Sequence, residues 1–582
     1  MDLFDVLSMI GGLAMFLYGM TVMGEGLEQS AGNKLKSILE SLTSNPVKGF
    51  IMGLVVTAVI QSSSATTVMV VGFVNSGIMT LRQAINIIMG ANVGTTITSW
   101  ILSLAGIESG NIFIKLLKPS SFTPVLGLIG VVFYVFMKNS KRRDLGQILL
   151  GFLVLMSGMD IMSGAVAGLK DVPEFTNILL MFQNPVLGVL AGALLTAAVQ
   201  SSSASVGILQ ALSVTGAITF GSAIPIVMGQ NIGTTVTAMI SSIGTNRNAR
   251  RAALVHLYFN VVGTVICLVG FTAINAVFQF AFVDLPIDRT GIAIVHTAFN
   301  LICTAVMLPL AGMLEKLAYM TVPKEHTPQE KSLLDERLMV TPSVALEQAK
   351  RVSVEMAKRT QEAYSKAMGL LTVWSEEDAE FIRKVEDEVD VFEDALGTYL
   401  VKLSAKNLSA DDSVELNVLL HTFSDIERIS DHAKSILMSA QNLHQNEKLF
   451  SADAQHELGV VSAAVVEVLN LAIEAFSHLD LAAASRVEPL EQNVDRLCNK
   501  IRERHIMRLR EGNCTQRQGM IFTDILSDLS RISDHCSNIA VSAIENNKAT
   551  FDTHRYLNEI KTYDEDFRRY YEEYAAKYTL QS

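Results

Sequence analysis

Two runs of this chain gather an amide, three hydroxyls and a small residue. They are Gln61-Ser62-Ser63-Ser64-Ala65 and, 139 positions later, Gln200-Ser201-Ser202-Ser203-Ala204. Neither contains Lys or Arg, so neither can hold an anion by ion pairing. What they offer is hydrogen-bond donors: serine hydroxyls, a glutamine amide and, if a helix begins just after them, backbone N–H groups at the positive end of its dipole. That set suits a small oxyanion. A second pair of runs supplies neutral oxygens of the kind that hold Na⁺. These are Asn92, Thr95 and Thr96 within Gly90–Thr96, and Asn231, Thr234 and Thr235 within Gly229–Thr235. Thr66 and Ser205, beside the serine runs, join the Na⁺ set. A bound anion and Na⁺ neutralise each other, which is a physical reason for the two to bind together.

The elements that must position these groups are duplicated. Residues 45–65 and 184–204 share 12 identities in a 21-residue block, and the same offset relates Gly12 to Gly151, Gly19 to Gly158, Gly90 to Gly229 and Asn92 to Asn231. Each copy reads alike. A first span (6–24 or 145–165) is followed by an amphipathic connection (27–44 or 168–183). Two apolar arms too short to cross a bilayer come next (46–60 and 65–77, or 185–199 and 204–215), with Gln-Ser-Ser-Ser between them. Such arms predict a re-entrant hairpin. A longer run (81–104 or 218–243) is expected to be a helix broken at its Gly-Asn-Gly-Thr segment, and a closing span (122–138 or 252–281) ends the copy. A last helix, 291–320, lies outside the duplication. Three crossings per copy invert the second relative to the first, which is the layout of many transporters. With the N-terminus outside, basic residues of the first 324 divide 13 inside to 4 outside, in line with the positive-inside rule.

Composition separates two halves. Residues 1–324 hold 17 Lys/Arg and 13 Asp/Glu; the rest hold 29 and 45. An apolar membrane region therefore precedes an acidic one, and the acidic half argues against nucleic acid or anionic lipid as its partner. The five cysteines form no Cys-x-x-Cys and fit a reduced setting. The start, Met1-Asp2-Leu3-Phe4-Asp5, has no basic segment, so the first apolar run is expected to be a retained span. His256-x-x-Phe259-Asn260-x-x-x-Thr264 recurs as His296-x-x-Phe299-Asn300-x-x-x-Thr304; it is expected to bond helices within a lipid-facing scaffold, the alternative being a polar seam near a bound substrate. Asp160, alone in an apolar span, is either an ion ligand or a residue near an aqueous end.

On its paired Gln-Ser-Ser-Ser motifs, the region 1–320 resembles the type II sodium–phosphate cotransporters. The resemblance implies Na⁺-coupled movement of inorganic phosphate, with the two tips binding phosphate and the Asn/Thr runs helping to hold Na⁺. The remainder, after a Pro-rich linker, is expected to be helical over 343–373, 376–405, 412–443, 452–480, 486–511, 515–546 and 553–577. It too is duplicated: Asp425-Ile-Glu-Arg-Ile-Ser-Asp431-His432 returns as Asp528-Leu-Ser-Arg-Ile-Ser-Asp534-His535. This half resembles PhoU-type phosphate-signalling regulators, and so a pair of three-helix bundles. That family's acidic pairs hold metal, divalent or iron. Glu386/Asp390 and Glu427/Asp431 match; Glu491/Asp495 and Asp534 match with Ser530 in place of a Glu. A solvated acidic face paired with Arg428 or Arg531 is the competing expectation.

The expected fold is therefore all-α: a polytopic membrane protein of two inverted repeats with re-entrant hairpins and broken helices, then a cytoplasmic pair of bundles. The divisions are 1–139 and 140–285 for the repeats, 286–322 for the extra helix, 323–342 for the linker, 343–548 for the bundles and 549–582 for a charged helix. The expected function is Na⁺-coupled phosphate symport in a bacterial inner membrane. The alternatives are a phosphate sensor signalling through the bundles and a transporter or exporter of another small anion. No nucleophile–base pair or nucleotide loop points to an enzyme. Expected partners are the bilayer and phosphate, with a second copy or a cytoplasmic regulatory protein for the bundles, and no nucleic acid.

Overall fold

The computed structural model describes residues 3–40, 45–106, 119–137, 139–172, 181–323, 334–446, 449–478, 480–548 and 565–580. All their regular elements are helical, and they divide into two compact units, Met1–Ala345 and Leu346–Ser582.

In the first unit, α1 (Leu3–Glu40) runs on through most of the expected amphipathic connection, so span and connection are one helix. Residues 41–44, half of the 168–183 connection (173–180) and the linker's 324–333 lie outside the described residues. The first hairpin is α2 (Pro46–Ile60) and α3 (Ser63–Asn75). Asn45 caps α2 through its side chain and Pro46 occupies the first turn, where its missing N–H costs nothing. At 1.5 Å per residue each arm is roughly 20 Å long, short of the ~30 Å hydrocarbon core. Then come α4 (Leu81–Gly94), α5 (Thr96–Ser103) and α6 (Pro119–Val131), the last continued by a π turn over Val132–Phe136.

The second copy is α7 (Ser140–Val166), α8 (Pro185–Val199), α9 (Ser202–Ser213), α10 (Phe220–Ser241) and α11 (Arg247–Phe278). The two first helices pack on each other through their duplicated glycines: a Cβ at Gly19 would overlap Leu155 N, and one at Gly158 would overlap Phe16 N. Small residues let backbones touch where lipid supplies no hydrophobic drive.

The expected breaks are corrected. In the first copy the interruption is a single residue, Thr95; in the second, α10 is one continuous helix. The glycines serve close packing instead. A Cβ at Gly90 would overlap Phe50 O, and one at Gly229 would overlap Val189 O. Each hairpin's first arm is thereby pressed onto the long helix that follows it. The expected last helix is also two, α12 (Arg289–Met307) and α13 (Ala311–Thr321), separated around Pro309, which cannot donate to a helical ladder. Among the described residues of the first unit, five helical stretches of 22 to 32 residues and the 19-residue α12 are long and apolar enough to cross a membrane.

The second unit follows the predicted periodicity closely: α14 (Pro342–Leu370), α15 (Glu376–Ser404), α16 (Ala410–Asn446), α17 (Ala452–His478), α18 (Leu481–Arg510), α19 (Gln516–Lys548) and α20 (Glu565–Lys577). Helix α17 is apolar enough to cross a membrane, yet Val461, Val465 and Val468 are fully buried within the bundle, so it is a core helix. The duplicated motif pairs with its own copy. His432 Nδ1 donates to Asp528 Oδ1 at 2.9 Å, and His535 Nδ1 to Asp425 Oδ1 at 2.8 Å. Helix α20 begins at Glu565; residues 549–564 of the expected charged segment lie outside the described residues.

Candidate functional site

Each serine run sits where one hairpin arm ends and the next begins. Gln61 ends α2 and Gln200 ends α8, both in the left-handed region, with φ 58° in each case. A non-glycine residue held there stores strain, and such residues gather at binding sites. Ser62 then caps α3, its Oγ accepting from Ala65 N at 3.1 Å, and Ser201 caps α9, accepting from Ala204 N at 3.2 Å. Both serines are therefore helix caps, and each hydroxyl hydrogen is still available to a ligand. Residues Ser63, Ser64, Ser202 and Ser203 form the first turns, whose N–H groups have no partner within the helix.

The two tips meet. Both complete Gln-Ser-Ser-Ser runs line a single cavity of about 280 Å³, walled on a third side by Thr21, Glu25 and Glu28 of α1. No Lys or Arg is among the described lining residues. The tips differ in one respect. Gln61 is 7% exposed, and its Oε1 accepts from Thr98 Oγ1 at 2.8 Å. Gln200 is exposed, and the hydroxyl of Thr237, the copy of Thr98, is buried without a partner. Likewise Thr57 Oγ1 donates to Thr66 Oγ1 at 3.0 Å, whereas Thr196 and Ser205, their copies, are buried with unpartnered hydroxyls.

The residues expected to hold Na⁺ are buried beside the hairpins but hydrogen-bond to their own helices. Asn92 Nδ2 donates to Ile88 O and Asn231 Nδ2 to Val227 O, both at 2.9 Å. Thr95, Thr96, Thr234 and Thr235 likewise donate to carbonyls three or four residues back. The long helices keep their ladders, so the freed backbone carbonyls that the breaks would have supplied are few. Glu25 and Glu28 were not legible as site residues, because the first span was ended at residue 24. The signal was present: two acids one turn apart at the C-terminal end of an apolar run. Asp160 is exposed, two turns before the end of α7.

The repeated His/Asn pattern bonds between helices as expected, but not on a lipid-facing surface. His256, Asn260, His296 and Asn300 are all 0% exposed, so they do not face lipid. His296 Nδ1 lies 2.6 Å from Ser99 Oγ on α5, and Thr264 Oγ1 lies 3.5 Å from Met228 O on α10.

In the second unit, carboxylate oxygens of Glu386, Asp390 and Asp431 lie within 4.8 Å of one another, as do those of Glu491, Asp495 and Asp534. Glu427 is not in that close set, although Asp431 and Asp390 act on its carboxyl; it lies 3.5 Å from the Arg428 guanidinium. Burial, reinforced by Asp431, pushes the Asp390 carboxyl above its ordinary range; burial, reinforced by Asp495, does the same for Asp534. Glu386 Oε2 is buried without a partner, a donor set that fits a hard cation. Lys434 Nζ holds Glu386 Oε1 at 2.5 Å, and Ser530 Oγ donates to Asp495 Oδ1 at 2.6 Å.

The profile described as Na+/Pi-cotransporter matches residues 15–164 and 171–306, and the PhoU domain profile matches 354–440 and 460–543. Escherichia coli K12 YjbB, provisionally named an inorganic phosphate export protein, is 25% identical over 561 residues, covering 93% of this chain and 97% of its own length. Bacillus subtilis YqeW, without an assigned function, is 30% identical over 316 residues, 53% of this chain and 95% of that one. The rat sodium-dependent phosphate transport protein 2A is 26% identical over 173 residues, 29% of this chain and 26% of that one. Among solved structures, PhoU from Pseudomonas aeruginosa matches at 22% identity and TM-score 0.33, over 35% of this chain and 98% of that one. On its profiles and relatives, this multi-pass membrane protein belongs to the Na⁺/Pi-cotransporter family, whose members transport phosphate and are not enzymes, and it carries a PhoU domain after its membrane unit.

Proposed function

We propose that the chain is a Na⁺-coupled symporter of inorganic phosphate, with phosphate held between the two serine tips. The observation that carries this reading is the single cavity shared by both tips. Two helix N-termini and the serine hydroxyls supply donors to an oxyanion from two inverted directions. The cavity also supports coupling. Glu25 lines the same space, and no Lys or Arg is among its described lining residues. An anion bound beside the Glu25 carboxylate is repelled unless a cation enters with it, and Na⁺ meets that need with oxygen ligands. Asn92, Thr95, Thr96, Asn231, Thr234, Thr235, Thr66 and Ser205 remain the Na⁺ candidates of the adjacent helices, and Glu25 and Glu28 join them. The rat relative's name speaks of sodium dependence and the E. coli relative's of export. Net direction follows the summed gradients, and export is the same cycle reversed.

The setting is a bacterial inner membrane, with the N-terminus outside and the bundles in the cytoplasm, as the basic residues favour. There the bundles act as a regulatory domain whose two acidic groups take a divalent or iron cation. A partner copy or regulatory protein would bind on that side.

The test is uptake of radiolabelled phosphate into proteoliposomes. Uptake that requires inward Na⁺ and is competed by arsenate but weakly by sulfate or carboxylates supports the reading. Phosphate binding without flux would instead identify a sensor, and preferential competition by sulfate another anion's transporter.

A further inference from the structure

Ahead of the bundles, the chain makes a short 3-10 turn, Glu336–Val340, that belongs to the first unit. It grips the far end of hairpin one. Asp335 Oδ2 accepts from Asn75 Nδ2 at 2.7 Å, and Leu338, 0% exposed, covers Gly72, both on the last turn of α3. It also grips the second repeat. Arg337 Nε donates to Ser241 O at 2.6 Å and its Nη2 to Ile243 O at 3.0 Å, a cation on the carbonyls that end α10. Arg337 Nη1 pairs with Asp335 Oδ1 at 3.1 Å, joining the two grips. Asn75 Oδ1 completes the knot by accepting from Asn246 N at 2.8 Å, at the cap of α11.

Helix α3 has its N-terminus in the cavity and its C-terminus under this turn, about 20 Å away by helical rise. A tie across both repeats resists any movement of one against the other. Helix α14 starts at Pro342, directly after the turn, so tension on α14 acts on the tie.

We infer that residues 335–341 form a strap that restrains hairpin one, and that the C-terminal domain controls transport by tightening or releasing it. This rests on the functional reading above only in placing the tip of hairpin one at the phosphate site.

The test is the double variant Gly72→Cys/Leu338→Cys. A Cβ at Gly72 lies 3.3 Å from Leu338 Cγ, the place a cysteine sulfur would take, within disulfide reach. The reduced variant is expected to transport phosphate like the unsubstituted chain. Oxidation is expected to lower flux at least tenfold, with recovery on reduction. Undiminished flux in the oxidised form overturns the strap, as does failure of the pair to cross-link. A second measurement needs no flux. Maleimide labelling of Ala65→Cys, at the tip, should change at least threefold when Asp335→Ala and Arg337→Ala are added, with the chain lacking the tip cysteine as blank. Unchanged labelling overturns the strap. Absence of flux in the unsubstituted chain, with labelling changed, would leave the strap standing and remove the symport reading.

Discussion

At the scale of single residues, the two left-handed glutamines allow strain to be separated from chemistry. Glycine accepts φ near 58° without strain, so Gln61→Gly and Gln200→Gly keep the backbone and delete only the amide. A hydrogen bond to a charged ligand contributes about 1.5–3 kcal/mol, so phosphate affinity should fall roughly ten- to hundredfold, read by equilibrium binding on the purified protein. Normal affinity in both variants would remove the tips as the phosphate site. Glu25→Gln and Glu28→Gln should weaken the Na⁺ dependence of phosphate binding while leaving the tips intact; an unaltered Na⁺ titration would clear both carboxylates. The tips were legible from duplication alone, because register over a long offset cannot be accidental. Their left-handed backbone was not, since nothing in Gln-Ser-Ser-Ser requires positive φ. The unlike bonding of Gln61 and Gln200 was not legible either: identical motifs carry no trace of it.

At the scale of elements, glycine was the ambiguous signal. Gly90 and Gly229 were expected to break their helices and instead seat them against hairpin arms, because a residue without Cβ can serve either purpose. The difference is measurable. Gly90→Ala or Gly229→Ala should cost about 3 kcal/mol or more, since the methyl meets backbone carbonyl that cannot step aside. Gly164→Ala on α7, with nothing within 4 Å of its Cβ, should leave thermal stability unchanged or slightly raised. Equal melting temperatures for all three would contradict the packing. In the second unit, His505 is stacked on Phe522 with ring centroids 4.6 Å apart, and burial, then Arg508, holds its pKa below the ordinary value. The unfolded chain takes up this proton as pH falls through about 6.5, and the folded one does not until lower pH. Its contribution to stability is therefore present above that range and lost on acidification. Replacing His505 by Gln should flatten this part of the stability–pH profile, measured by denaturation of the whole protein at pH 7.5 and 5.5.

At the scale of the whole molecule, helix periods and the shift in charge made both units and nearly every bundle helix legible, because burial dictates them locally. The meeting of distant pieces was less so. The turn at Glu336–Val340 reads as linker, since its partners, Asn75 and the carbonyls of Ser241 and Ile243, are far away in sequence and two of them are backbone. A chain ending at Ala345 should still bind and move phosphate, having lost control rather than transport. If such a chain is folded, by size-exclusion behaviour and melting, yet binds none, the division of labour between the units is wrong.

A body assembled from two upside-down copies has a second pose written into it, reached when each copy adopts what its twin is doing. Here one copy has its glutamine docked on a threonine, while the other leaves both groups apart. Trade those roles, and Thr98 gives up its glutamine while Thr237 gains one, without a single new component.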